Sequence, residues 1–271
     1  MKLVRIERDG KAIWGVLKGN EVLTLAKVPY EELDFDGGRL PLEQCRLLAP
    51  CEPTKIICVG KNYYDHAMEM GEGVPDRPIL FIKAPNTVNY PEGEVSAPGF
   101  VERLDYEGEL AFVVKKRAKN VKAEEYGDYI LGYTCLNDVT ARDIQKSDGQ
   151  WSRGKSMDGF APIGPLVTDE VDGSDLKIET RLNGKTVQSS RTSLFMTKIP
   201  ALMEFITASM TLGPATWLPP APLRASEPCS PVTWWRWRLR ASVPSAPISG
   251  KSQPARKQKG FSGRFFSLCN I

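Results

Sequence analysis

The chain has 271 residues, with 36 Lys/Arg, 33 Asp/Glu and a single His, for a net charge of +3. That length buries a full core, as one large domain or as a main domain with a small appendage. The charged start, Met1-Lys2-Leu3-Val4-Arg5, argues against a signal peptide, and the absence of an apolar run of membrane-spanning length argues against an integral-membrane role. The six cysteines (45, 51, 58, 135, 229 and 269) form no C-x-x-C pair and no zinc-type spacing. They are expected as reduced packing thiols of a cytoplasmic protein.

The charge is unevenly spread. Residues 213–271 carry nine Lys/Arg against one acid, Glu227, so residues 1–212 hold 27 bases and 32 acids. The basic excess belongs to the tail, and a nucleic-acid reading of the whole chain loses its footing.

Residues 1–50 read as a small N-terminal β-rich unit. Strands at 2–7 and 12–17 flank Asp9-Gly10, a hairpin turn signal, and Glu21–Leu25 follows the Gly19-Asn20 turn. After Pro53, residues 55–60 form a buried-strand pattern running into 61–70, which looks helical. Strands are predicted at Ile79–Lys83, through Ala111-Phe112-Val113-Val114, at 129–134, at 164–168 and at 176–182, the last before an Asn183-Gly184 hairpin. Leu202, Phe205, Ile206 and Met210 recur at helical spacing across 199–211. There is no internal repeat, G-x-G-x-x-G or P-loop, and the pattern is a β-dominated mixed (α+β) fold rather than a βαβ series.

Glu107 and Glu109 lie two apart in Asp105-Tyr106-Glu107-Gly108-Glu109-Leu110. On a strand their carboxylates project to one face, where like charges repel unless a cation lies between them or one is protonated. Asp138 follows another strand-like stretch, and three hard oxygen donors suit Mg²⁺ or Mn²⁺. For a bare E-x-E, a half-exposed edge strand with alternating charges is the commoner explanation. His66 has Glu69 three residues on, a pairing that serves a general base acting through water or an ordinary surface pair. Arg142 and Gln145 are one helical turn apart, with Arg142 a natural clamp for a substrate carboxylate. Lys155, in Gly154-Lys155-Ser156-Met157-Asp158-Gly159-Phe160, could steady a developing enolate or be an ordinary loop lysine.

Four segments in order, 59–70, 105–110, 137–145 and 154–165, together resemble the fumarylacetoacetate hydrolase family over roughly residues 1–212. The resemblance implies that family's β-roll, a homodimer, and one Mg²⁺ (or Mn²⁺) per subunit held by Glu107, Glu109 and Asp138. It implies a water-activating dyad of His66 and Glu69 on a lid segment, with Arg142, Gln145 and Lys155 on the substrate side. The activity implied is cleavage of a C–C bond in acylpyruvate-type oxo-acids. Oxaloacetate decarboxylation and hydroxymuconate- or hydroxyheptadienedioate-type isomerisation on the same metal site are the alternatives. Aromatic-compound catabolism is the implied setting.

The family pattern stops after Leu212, where a Pro-Gly-Asp turn, a strand and a Thr-Gly-Thr-Pro loop should follow. Residues 213–271 instead hold nine prolines and four of the six tryptophans. Joining the third base of each codon to the first two of the next, the residues permitted from Pro214 on include Gly-Asp-Val-Val-Ala-Thr-Gly-Thr-Pro-Glu-Gly-Val-Gly, which is the missing motif. A frameshift is therefore expected, with 51–212 an incomplete catalytic domain, 213–271 an irregular, aberrant tail, and folding or activity impaired. A basic Trp/Arg-rich nucleic-acid-binding extension, or an inactive gene product, are the competing readings.

Overall fold

Alternating apolar residues and two left-handed turns build the first strands. The computed structural model describes residues 1–64 and 75–220 and the backbone of Phe265–Cys269. Strands β1 (Lys2–Arg8), β2 (Lys11–Lys18), β3 (Glu21–Leu25) and β4 (Phe35–Pro41) pair antiparallel in succession. Asp9 and Gly10 adopt φ of 51° and 71°, the conformation a two-residue hairpin loop demands and Asp-Gly tolerates. A short β5 (Arg46–Leu47) also pairs with β1.

The remainder is built from β6 (Ile56–Gly60), β7 (Ile79–Lys83), β8 (Val88–Asn89), β9 (Leu104–Asp105) and β10 (Gly108–Val114). Next come β11 (Ile130–Asn137), β12 (Thr140–Ala141), helices α1 (Arg142–Ser147) and α2 (Trp151–Lys155), and β13 (Ala161–Thr168). The hairpin β14 (Lys177–Leu182) and β15 (Lys185–Arg191) precedes helix α3 (Ile199–Ser209), β16 (Trp217–Leu218) and β17 (Phe265–Cys269). The large sheet runs β4-β3-β2-β1-β13-β11-β10-β16-β6-β7, with β5 on β1 and β8 on β13. The N-terminal strands are thus joined to the rest by β1 against β13, at Lys2↔Thr168 and Leu3↔Val167. The fold is the sheet-rich mixed class expected from the pattern.

β10 lies in the middle of this sheet, between β11 and β16, and all seven of its residues are buried. Leu110, Phe112 and Val114 pack on one side with Ile57, Val59 and the inward face of α3, Leu202, Met203 and Ile206. Ala111 and Val113 pack on the other with Ile56, Cys58, Leu136 and Trp217. A strand covered on both faces must be apolar along its length, and the carboxylates at its start are therefore not the fringe of a solvated edge.

The ladder extends beyond Leu212. Trp217 pairs in parallel with Ile56, and Val113 and Phe112 pair with Trp217 and Leu218, placing β16 between β10 and β6. Past residue 220 the described backbone is β17, antiparallel to β14 from Ile178↔Cys269 to Leu182↔Phe265. His66 and Glu69, with most of the helix read over 61–70, lie outside the described residues.

Candidate active site

The E-G-E spelling follows from what lies on either side of the strand. Glu107 immediately precedes β10 and Glu109 is its second residue, so both share the face of Ala111 and Val113. Gly108 points the opposite way, at the β14–β15 hairpin, where an added Cβ would come within 2.0 Å of Thr180 Oγ1. The Gly108 N–H donates to Gln188 Oε1 at 3.0 Å, so the hairpin sits directly on the strand, and only glycine allows that approach.

Asp138 is brought in by a zipper at the end of β11. Its N–H donates to Glu107 O at 2.8 Å, and the Glu107 N–H donates to Asn137 Oδ1 at 2.8 Å. The result is a buried group in which one carboxylate oxygen from each of Glu107, Glu109 and Asp138 lies within 4.8 Å of the others. Their exposures are 2%, 0% and 0%.

Three buried cations surround the group. Lys83, the last residue of β7, donates to Asp138 Oδ1 at 2.6 Å and to Val139 O at 3.1 Å. Lys155, at the end of α2, donates to Asp138 Oδ2 at 2.6 Å and to Glu107 Oε2. Its Nζ also lies 4.9 Å over the ring of Phe81, whose edge meets Trp151. Burial opposes its charge, but Asp138 and Glu107 outweigh that and raise its pKa; Lys155 is a fixed cation, not a base at neutral pH. Arg142, the first residue of α1, donates Nε to Asp105 Oδ2 at 2.7 Å, Nη1 to Gln145 Oε1 at 2.7 Å and Nη2 to Glu107 Oε1. Burial works against its charge too, and Glu107 and Asp105 hold its pKa above the usual guanidinium value.

Glu109 is the exception. Both its oxygens are buried and neither has a hydrogen-bond partner among the described residues. Burial, then the neighbouring Asp138, pushes its pKa well above the carboxylate range. Asp105, Glu107 and Asp138 each pair with one or more of Arg103, Arg142, Lys83 and Lys155, whereas Glu109 has no such partner among the described residues. Buried charges are normally paired or bound to a metal. All-oxygen donors aimed at one point are the chemistry of a hard divalent ion, so the residues present fit such an ion.

Of the residues singled out from sequence, the structure brings Glu107, Glu109, Asp138, Arg142, Gln145 and Lys155 together; His66 and Glu69 are not among the described residues. Arg142 and Gln145 are engaged with the protein and with each other. Every nitrogen of the Arg142 guanidinium already donates to a protein acceptor, and the Gln145 carbonyl is taken by Arg142. Sequence reasoning missed Lys83, Asp105 and Thr140, whose hydroxyl donates to Glu107 Oε2 at 3.2 Å. A lysine ending an otherwise apolar strand was the available signal for the first.

The model described as fumarylacetoacetate (FAA) hydrolase C-terminal matches residues 55–217, and one described as Rv2993c-like, N-terminal matches residues 1–50. An uncharacterized protein of Archaeoglobus fulgidus is 49% identical over 186 residues, which are 69% of this chain and 74% of that protein. Oxaloacetate tautomerase YisK of Bacillus subtilis is 40% identical over 206 residues, covering 73% of this chain and 67% of its own length. A solved structure of 5-carboxymethyl-2-hydroxymuconate delta-isomerase from Mycobacterium smegmatis is similar with a TM-score of 0.80 at 36% identity, over 84% of this chain and 91% of that one. With the family match spanning most of the chain and the buried acidic group within it, this protein belongs to the fumarylacetoacetate hydrolase family.

Proposed function

We propose that the protein is a divalent-metal-dependent enzyme that forms and stabilises the enolate of a small 2-oxo acid. The observation that carries this is Glu109: a fully buried carboxylate, partnerless among the described residues, aimed at Glu107 and Asp138. Mg²⁺ or Mn²⁺, which all-oxygen sites accept alike, would be held by these three and would supply Lewis acidity toward a carbonyl oxygen.

The chain's own residues supply the rest. Lys155 keeps a positive charge beside the site, where negative charge develops on an oxo-acid oxygen, and its two carboxylate contacts hold it there without reorganisation. Arg142 and Thr140 fix Glu107. Gln145, its carbonyl occupied by Arg142, has its amide N–H groups to offer a substrate carboxylate.

Enolate chemistry is common to two readings. Proton transfer, as tautomerisation or isomerisation, is favoured by the names of the Bacillus subtilis and Mycobacterium smegmatis relatives. C–C cleavage of acylpyruvates requires an activated water as well, the role read for His66 and Glu69 from the resemblance. Oxaloacetate decarboxylation is the remaining variant. The partner is thus a small oxo-acid rather than a nucleic acid or a membrane, and the working unit a cytoplasmic homodimer. No helix among the described residues is long and apolar enough to cross a membrane.

Following enol-to-keto conversion of oxaloacetate alongside pyruvate release from acylpyruvates, with Mg²⁺, Mn²⁺ or chelator, tests the proposal. Conversion without release selects tautomerisation, and release selects cleavage. Activity undiminished by chelator would contradict both.

A further inference from the structure

Asp105 lies outside the acidic group yet is bonded to the residue that grips one of its members. It is 1% exposed, at the end of β9, and β9 is held against β12 by the pair Thr140↔Asp105. Arg103 forks onto it from the surface side, Nε to Oδ1 at 2.9 Å and Nη2 to Oδ2 at 3.1 Å. From the interior Arg142 Nε donates to Oδ2 at 2.7 Å. The Arg142 N–H also donates to Arg103 O at 2.8 Å, so backbone and side chains tie the two arginines together.

A guanidinium is planar and rigid, so holding Nε fixes where both Nη atoms point. In Arg142 they point at Gln145 Oε1 and Glu107 Oε1. Lys155 and Thr140 take the other oxygen of Glu107. The glutamate carboxylate is thereby held at both ends, facing Glu109 and Asp138.

We infer that Asp105 is a positioning residue for the cation site: clamped by Arg103, it sets the Arg142 guanidinium, which sets the Glu107 carboxylate. The inference rests on the reading of Glu107, Glu109 and Asp138 as cation ligands. Groups that orient metal ligands typically change affinity by about 10–100-fold when removed. A rival account needs no orientation: Asp105 adds negative charge near a cation and Arg103 adds positive charge. The two accounts part at Arg103, whose loss weakens cation binding if it orients Asp105 and tightens it if only its charge matters.

The test is Mn²⁺ binding to the full chain, followed by the electron paramagnetic resonance signal of free Mn²⁺, for wild type, Asp105→Asn and Arg103→Ala, with thermal melts in parallel. Asp105→Asn is expected to raise the Mn²⁺ Kd about 10–100-fold, and Arg103→Ala to raise it by a smaller factor. Arg103 is 39% exposed at its side chain, so its variant decides the matter even if Asp105→Asn does not fold. An Arg103→Ala Kd equal to or tighter than wild type overturns the inference, as does an Asp105→Asn protein with a lowered melting temperature and an unchanged Kd. No Mn²⁺ binding by the wild type overturns the cation reading itself, and the role of Asp105 with it.

Discussion

Lys83 and Asp138 form an ion pair of 2.6 Å in which neither side chain has any exposure to solvent. Removing two charges from water costs several kcal/mol for each, and is recovered only when further hydrogen bonds complete the arrangement. Here they do: Lys83 also reaches Val139 O, and Lys155 takes the second oxygen of Asp138. Each carboxylate oxygen retains a further lone pair, so Asp138 can be held by two lysines and still face a cation.

Lys83→Met leaves one oxygen of a buried Asp138 without its partner. The expected cost is about 3–5 kcal/mol, read as a lowered midpoint in urea unfolding. An unchanged midpoint would mean that the pair is not buried as described.

Gly108→Ala drives a methyl into Thr180 Oγ1 and forces the β14–β15 hairpin off β10. Overpacking of this kind typically costs about 1–3 kcal/mol. Gly127→Ala is the control, since an added Cβ there meets nothing within 4 Å, and a change within about 0.5 kcal/mol is expected. Equal stability of the two variants would contradict the close approach.

Divalent cations should stabilise the folded chain. A ligand that binds only the folded state contributes about 2.7 kcal/mol at a hundred times its Kd, a rise in melting temperature of about 5–10 °C for a domain of this size. Mg²⁺ or Mn²⁺ should produce the rise and chelator should reverse it. A melting temperature indifferent to both ions would argue against the site.

The tail explains why β16 stops where it does. The slot between β10 and β6 is filled by Trp217 and Leu218, and the Val59 N–H still donates to Pro219 O at 3.1 Å. Pro219 and Pro220 have no N–H to continue the ladder. The alternative reading frame permits Thr and Gly at those two positions, each with a donor. Sequencing the gene across the Leu212 codon is expected to reveal a frame change, and restoring the frame to raise the melting temperature. An uninterrupted natural frame encoding the Trp-rich tail would refute this.

Much of the sheet was legible because its strands carry local signals. Ile79–Lys83 is an apolar run after Pro78, and Asp9-Gly10 and Asn183-Gly184 mark their hairpins, with positive φ at all four residues. β4 was not legible: Asp36, Gly37 and Gly38 are poor strand formers, and pairing with β3 holds them extended. The acidic group shows the same divide. E-x-E alone fitted a half-exposed edge, and it took the resemblance across four segments to favour a metal site with Asp138 over that reading. Lys83 offered only its place at the end of an apolar strand, because its burial depends on Asp138, 55 residues away in sequence. The contacts of Arg142 with Asp105, Gln145 and Glu107 were not legible either, because nothing local in the sequence shows them.

The central claim is that Glu107, Glu109 and Asp138 form a divalent-cation site. Isothermal titration of Mn²⁺ into wild type and Glu109→Gln tests it most directly. One ion per chain is expected for wild type, with binding lost in Glu109→Gln while the melting temperature of the metal-free variant is no lower. Wild-type protein that takes up no Mn²⁺, or a variant that binds it equally well, would contradict the account.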